Sequence, residues 1–374
     1  MRSMGDIGGL LAAMIGAGGL IGAAATGAPS APAGAPSTTS VSSSAVSSPG
    51  ALPNFGNPSG HVAVPPAGRA VNTSHANHWI GHGTPASCTS AAVVRAVAEG
   101  GIIRFRCGPK PVTIVMGATA TVRQATHRVI LDGRGLITLS GGGKRRILYS
   151  NTCLGDCTSP YPQIVVQNIT FEDGFNGARE NLNAPWGGID GGGAIYVSGG
   201  EFKAVNSRFI NNRCYTYGPD LGGAAIRALN QAKNRPVYIT SDTFRGGRCA
   251  NGGALSSIDV QWQVYNSVFT NNRAIGRGAN PARPGTPGGG SGGGIYTDGS
   301  NYDVFVAGTV MNNNVANEGG GAIFNVVDDG WGKLTLDYSH LHHNPSLGFQ
   351  TFPGIFDHID NNDVAPVMIH STDN

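Results

Sequence analysis

Six lines of this chain superpose without a gap: IVVQNITFEDG from residue 164, FKAVNSRFINNRC from 202, VYITSDTFRGGRC from 237, WQVYNSVFTNNRA from 262, VFVAGTVMNNNVA from 304 and LTLDYSHLHHNPS from 334. One apolar column runs through them as Phe171, Phe209, Phe244, Phe269, Met311 and Leu341, at intervals of 38, 35, 25, 42 and 30 residues. Three residues earlier stand Asn168, Asn206, Ser241, Asn266, Gly308 and Tyr338. Earlier still, Val166, Ala204, Ile239, Val264, Val306 and Leu336 alternate with polar neighbours, as strand residues do. Between the lines lies a second box: GGAIY at 192, AAIRA at 224, GGALS at 252, GGGIY at 292 and GGAIF at 320. Units of this length that hold short strands and no helical period describe a solenoid. In it every backbone N–H and C=O pairs with the coil above or below, and like residues stack in columns, as in asparagine ladders.

The repeat accounts for the one unusual number in the composition. Glycine supplies 59 of 374 residues, more than double its ordinary share of ~7%. Each coil must turn corners with φ > 0, which glycine tolerates best and asparagine next. A propeller is the rival architecture, but it needs four antiparallel strands per blade, and two-residue hairpin turns are scarce. The fold class is therefore all-β, a single-stranded parallel β-helix.

Cys88, Cys107, Cys153, Cys157, Cys214 and Cys249 form an even set, which in an exported chain favours disulfides. Cys214 and Cys249 each follow the apolar column by five residues, so they hold one position in consecutive coils. A strand spacing of ~4.8 Å lies within the ~4.4–6.8 Å Cα window of a disulfide. Proximity pairs Cys88 with Cys107 and Cys153 with Cys157. Upstream of the repeats, TSAAVVRAVAEGG has the marks of a short helix, with Thr89 or Ser90 as N-cap and Gly100 and Gly101 as stop. Such a helix would cover the end of the solenoid, where strands and core would otherwise lie open.

The N-terminus has a different character. Residues 1–33, with an apolar run from Ile7 to Ala25 and an A-x-A-like site near Ala31 and Ala33, are expected to be a signal peptide or an N-terminal anchor. Residues 34–75, rich in Pro, Ser and Ala, are expected to form a disordered linker. The β-helix domain is expected to span 76–374, exported, secreted or held at the cell surface, with no membrane insertion of the mature domain, and monomeric. Charged residues are 13% of the chain and the net charge is +3. That carries no electrostatic footprint for nucleic acid or for an anionic membrane, and excludes both as partner classes.

The GGAI boxes alternating with F-x-x-N boxes (Phe209 to Asn212, Phe269 to Asn272), the strand DGRGLITLSG and the asparagine at the bend resemble the right-handed parallel β-helix proteins of the pectate-lyase-like superfamily. The two boxes are especially similar to the repeat of chlamydial polymorphic membrane proteins. The resemblance covers residues 88 to about 345 and implies the fold. It does not imply one function, since this architecture hosts lyases, glycosidases, esterases and non-enzymatic adhesins.

If Ile195, Ile226, Leu255, Ile295 and Ile323 point inward, then Tyr196, Arg227, Ser256, Tyr296 and Phe324 form an exposed column. Ser198, Leu229, Ile258, Asp298 and Val326 form a second. The longest loops (178–191, 215–222 and 276–292) feed this face, where a groove would be built. Tyr196, Tyr296 and Phe324, with Trp186 in the adjoining loop, suit stacking on sugar rings, and Arg227 suits a uronate carboxylate. Equally, such aromatics can simply cover a flat sheet. The superfamily's enzymes place catalytic groups on this sort of face, which implies Asp298, Asp190 and Arg227 here. In a lyase Arg227 would abstract the proton next to the carboxylate; in a hydrolase Asp190 and Asp298 would serve as acid and as base or nucleophile.

The departures from the enzyme families matter. The R-x-P-x-x-R box of pectate lyases, the R-I-K box of polygalacturonases and the pectin-esterase aspartate pair are missing; a GHG at Gly81–Gly83 precedes the solenoid, and Asp328 and Asp329 lie near its end. His340 and His342 share one strand face without an evident third metal ligand. No cofactor is implied. Two functional readings follow: a carbohydrate-active protein, lyase or glycosidase, acting on a polysaccharide or cell-surface glycan, or a non-catalytic adhesin-like surface protein.

Overall fold

Three parallel sheets wrap around one apolar core, and the central coils contribute to all three. The computed structural model describes residues 53–153, 157–177, 191–217, 221–232, 235–277 and 289–370. Among them the sheets hold sixteen, nine and five strands. One representative coil runs Ile195–Ser198 in the nine-stranded sheet, Glu201–Val205 and Arg208–Ile210 in the sixteen-stranded sheet, and Arg213–Cys214 in the five-stranded sheet. Strands of successive coils pair in parallel; Asn362–Asp363, at the C-terminal end, pairs antiparallel.

The register is the one the aligned lines predict. Phe171, Phe209, Phe244, Phe269, Met311 and Leu341 oppose one another in consecutive coils. The four phenyl rings stack face to face, with centroids 5.3, 4.8 and 4.7 Å apart. Each ring is shielded from water, which stabilises the coil by roughly 1.5–3 kcal/mol per side chain. Val166, Ala204, Ile239, Val264, Val306 and Leu336 form a second inner column, and Ile195, Ile226, Leu255, Ile295, Ile323 and Ile355 a third.

The corners explain the asparagines. Asn168, Asn206, Ser241, Asn266, Gly308 and Tyr338 all have φ between 46° and 58°, so this column is a left-handed bend repeated coil after coil. At Gly192, which opens one GGAI box with φ +60°, an added Cβ would stand 2.4 Å from the Ile195 carbonyl oxygen. The asparagines of the F-x-x-N boxes point inward instead. Asn272 Nδ2 donates to Asn314 Oδ1 and Asn314 Nδ2 to Asn344 Oδ1, both at 2.9 Å, and their amides also satisfy the carbonyls of Phe244 and Phe269. This ladder supplies partners for backbone groups that a bend takes out of the sheet.

The helix spans Ser90–Glu99; Thr89 caps it by accepting from Ala92 N, and Gly100 ends it at φ +80°. Val93, Ala96 and Val97 seal the N-terminal end of the core. Disulfides join Cys88 to Cys107, Cys153 to Cys157 and Cys214 to Cys249, with Cα separations of 5.6, 4.8 and 4.7 Å.

The structure departs from the sequence expectation between residues 53 and 75. This stretch, expected to be disordered, is a strap laid on the solenoid. It climbs past the Asn206 and Asn266 corners and returns past Lys203, Gln167 and Asp132. Asn266 holds Val62 through two bonds, Nδ2 to the carbonyl at 2.8 Å and Oδ1 from the N–H at 3.0 Å, and Gln167 does the same to Val71. Phe55 is buried under the Arg208 guanidinium, 4.1 Å from its ring centroid. The composition of the strap misleads because its partners are not its own side chains. Corner amides stand in for a neighbouring strand, and its prolines have less entropy to lose. The expected signal or anchor (1–33) and residues 34–52 of the expected linker lie outside the described residues.

Candidate functional site

The outward column on the nine-stranded sheet forms in the expected register: Tyr149, Tyr196, Arg227, Ser256, Tyr296, Phe324 and Phe356 follow one another coil by coil. Its rings make two stacks. Tyr149 and Tyr196 lie 5.3 Å apart; Tyr296, Phe324 and Phe356 follow at 5.1 Å intervals. Arg227 and Ser256 separate the stacks, joined by a bond from Arg227 Nη1 to Ser256 Oγ at 2.5 Å.

The expected exposure of this column is not found. Tyr196 is 2% exposed, Tyr296 5%, Phe324 6%, and Arg227 and Ser256 0%. Rings pressed face to face in a stack have only their rims to offer, so a sugar cannot lie flat on them as it would on an isolated exposed ring. Arg146 closes the upper stack. Its guanidinium lies 5.1 Å from the Tyr196 ring centroid and donates to the carbonyls of Gly191 and Gly192. Burial pushes the Tyr196 phenol up to about 12, so it stays a neutral hydroxyl.

Asp298 is half-buried and accepts from the Tyr296 hydroxyl and from Gly299 N–H, both at 2.9 Å, which is the geometry of a turn-capping carboxylate. It is in register with Ile258 and, one coil further back, with Leu229. Asp190 and Trp186 fall outside the described residues. His340 and His342 point outward from one strand, and His343 sits in a left-handed corner with its ring 3.8 Å from that of His342.

Two features went unread in the sequence. A cavity of about 510 Å³ opens beside the strap over Ile130 and Val165, with Arg128, Lys203 and Arg235 at its edge. Lys203 is already engaged there, donating to the Ala67 and Arg69 carbonyls, and Arg235 pairs with Glu201. The other is a buried hydroxyl column, Ser207, Ser267, Thr309 and Ser339, interrupted by Asp242. In each of the four the hydroxyl donates to the carbonyl two residues before it, and Ser267, Thr309 and Ser339 also accept the N–H of the column residue one coil earlier. Asp242 accepts from Ser207 N–H at 2.6 Å and from Thr240 N–H at 3.1 Å, and burial pushes its carboxyl well above the usual range.

Residues 266–298 match the model of the Chlamydia polymorphic membrane protein repeat. The matched segment starts at the corner Asn266, takes in the Phe269–Asn272 box and ends at Asp298, so it holds one complete pair of boxes. The chain is thus similar to that family over one repeat, in keeping with its stacked parallel coils. No curated protein and no solved structure matches.

Proposed function

We propose that this protein is a non-catalytic, surface-displayed solenoid of adhesin type that binds a cell-surface glycan along its outer flanks. The observation that carries this reading is the state of Arg227. The side chain best suited to uronate chemistry is 0% exposed and tied to Ser256 inside the wall, where no substrate can reach it. The repeat shared with the polymorphic membrane proteins supports it, as do three disulfides, which suit an oxidising compartment.

The test uses the purified full chain on a panel of uronate and neutral polysaccharides, following unsaturated-product absorbance and reducing ends, alongside adherence to cell monolayers. Adherence without product is expected. Release of product from any polysaccharide would overturn the proposal.

A further inference from the structure

The five-stranded sheet carries an arrangement that the fold itself does not require. Arg213, Arg248 and Arg273 oppose one another in three consecutive coils, and all three are exposed. Strand spacing puts about 4.8 Å between neighbouring rungs. Like charges placed directly opposite on paired strands oppose stability rather than add to it. Among the described residues no carboxylate forms an ion pair with any of them, and Arg248 and Arg273 make no side-chain hydrogen bond; the Arg213 guanidinium lies 5.7 Å from the Phe175 ring. The inner partners in these strands are accounted for by the core and by the Cys214–Cys249 disulfide. The guanidinium row is left without an internal partner.

Its surroundings favour a long ligand over a small one. Beside Arg248 the coil turns through Gly246, at φ 71°, into the buried Gly247. Arg245, exposed on the far side of that corner, adds a fourth guanidinium. Past Arg273 the row opens into a depression of about 810 Å³ that also holds His342, His343 and Gln350.

We propose that the Arg213–Arg248–Arg273 row is a binding site for a linear acidic polysaccharide, whose carboxylate or sulfate groups it engages one per coil. Guanidinium is the cation suited to this, because its planar fork grips two oxygens of one carboxylate or sulfate at once. A polymer with one anionic group on every sugar meets a periodic row of cations with its own periodic row of anions. Single-stranded nucleic acid fits less well. Sites for it interleave cations with aromatic platforms for the bases, and the one aromatic in this column, Phe175, is half-buried next to Arg213. The inference rests on the adhesin reading and names the partner for it.

The experiment measures binding of the full chain to immobilised polygalacturonate and dextran sulfate, with neutral dextran and a single-stranded oligonucleotide as controls. Variants are Arg213→Ala, Arg248→Ala, Arg273→Ala, the triple alanine variant and the triple lysine variant. The wild type is expected on both acidic polymers and not on dextran, with affinity falling as salt rises. Each single alanine should weaken binding about threefold to tenfold and the triple variant should abolish it; lysine should restore only part. Melting temperatures of the alanine variants should hold or rise, since a repulsion has been removed.

Undiminished binding by the triple alanine variant, absence of binding by the wild type, or equal affinity for the oligonucleotide would each overturn the assignment. Adherence to cell monolayers separates the two proposals. If the triple alanine variant adheres like the wild type, the adhesin reading survives and the arginine row is not its site. If the wild type holds the acidic polymers through the row but fails to adhere, the site stands without that reading.

Discussion

The side-chain amide of Asn206 reads the backbone of the strap 151 residues upstream: its Oδ1 accepts from the Phe55 N–H at 2.9 Å, and its Nδ2 donates to the Pro53 carbonyl at 2.9 Å. Asn206 is also a corner, with φ 50°. One residue therefore bends the coil and fastens the chain that crosses it.

Those two jobs can be separated. Asn206→Gly and Asn266→Gly keep a residue at home in the left-handed region, as Gly308 already shows in this column, and remove only the amide. Each should cost on the order of 1–3 kcal/mol, from hydrogen bonds lost to buried or half-buried backbone. The loss should be local. Amide exchange at Phe55 and Val62 should rise by orders of magnitude, and limited proteolysis should cut within 53–64, while amides of the Phe209 and Phe244 strands keep their protection. Uniform deprotection of the whole domain would show that the strap is part of the core.

The phenylalanine stack makes a prediction about shape. Met311 and Leu341 already occupy the same column, so Phe244→Leu should be tolerated at about 1 kcal/mol. Phe244→Ala leaves a hole between two rings only 4.8 and 4.7 Å away and should cost about 3–5 kcal/mol, read as a shift in urea midpoint. Similar losses from the two substitutions would mean that the coils collapse around the gap.

How far the sequence could be read follows from where each residue's partners lie. Phe171 to Leu341, the left-handed asparagines and the Cys214–Cys249 staple are visible because in a solenoid the partner occupies the same place in the next repeat. The strap is not, since Val62 and Asn57 meet Asn266 and Gly308, 204 and 251 residues away, outside any repeat. Register also says which way Tyr196 and Arg227 point, but not what covers them, and so the expected exposure failed. The arginines stand in plain view one residue before Cys214, Cys249 and Ala274 in the aligned lines, and the paired strands place them opposite one another.

The buried outer column should behave as structure. Tyr196→Ala and Phe324→Ala each remove a ring from a stack at 5.3 or 5.1 Å and should cost about 2–4 kcal/mol in thermal or urea unfolding. Variants that keep full stability would return this column to consideration as a ligand platform.

The Cys214–Cys249 bond closes a span of 35 residues across two coils. Ala274 continues the same column in the next coil, so a double alanine variant leaves a side chain the wall already accepts. Its cost should then reflect mainly the freed unfolded chain, roughly 3–4 kcal/mol. The expected reading is a lower urea midpoint with native strand content by circular dichroism. Loss of strand content would mean that the bond shapes the coils rather than merely fastening them.

Asp242 gives the sharpest test, because the column tells what should stand there. Ser207, Ser267, Thr309 and Ser339 satisfy their neighbours through hydroxyls, and a serine at 242 could accept from Ser207 N–H and donate to the Thr240 carbonyl in the same pattern. Burial raises the Asp242 carboxyl well above its unfolded value, and raises Asp357 in the C-terminal coil to about 6. For a carboxyl raised on folding, the folded state holds the proton longer than the unfolded one. The advantage of the protonated form is thus complete below the unfolded value of 3.8 and is lost as pH climbs through the folded one, which for Asp357 means between about 4 and 6. Stability should accordingly fall from pH 4 upward, and Asp242→Ser should flatten that fall and raise the unfolding free energy at pH 7 by on the order of 1–3 kcal/mol. Urea midpoints of wild type and variant from pH 4 to 8 decide it: parallel curves would mean that the Asp242 carboxyl does not govern the pH response, and a less stable variant would mean that the bonds to Ser207 and Thr240 outweigh the cost of burying it.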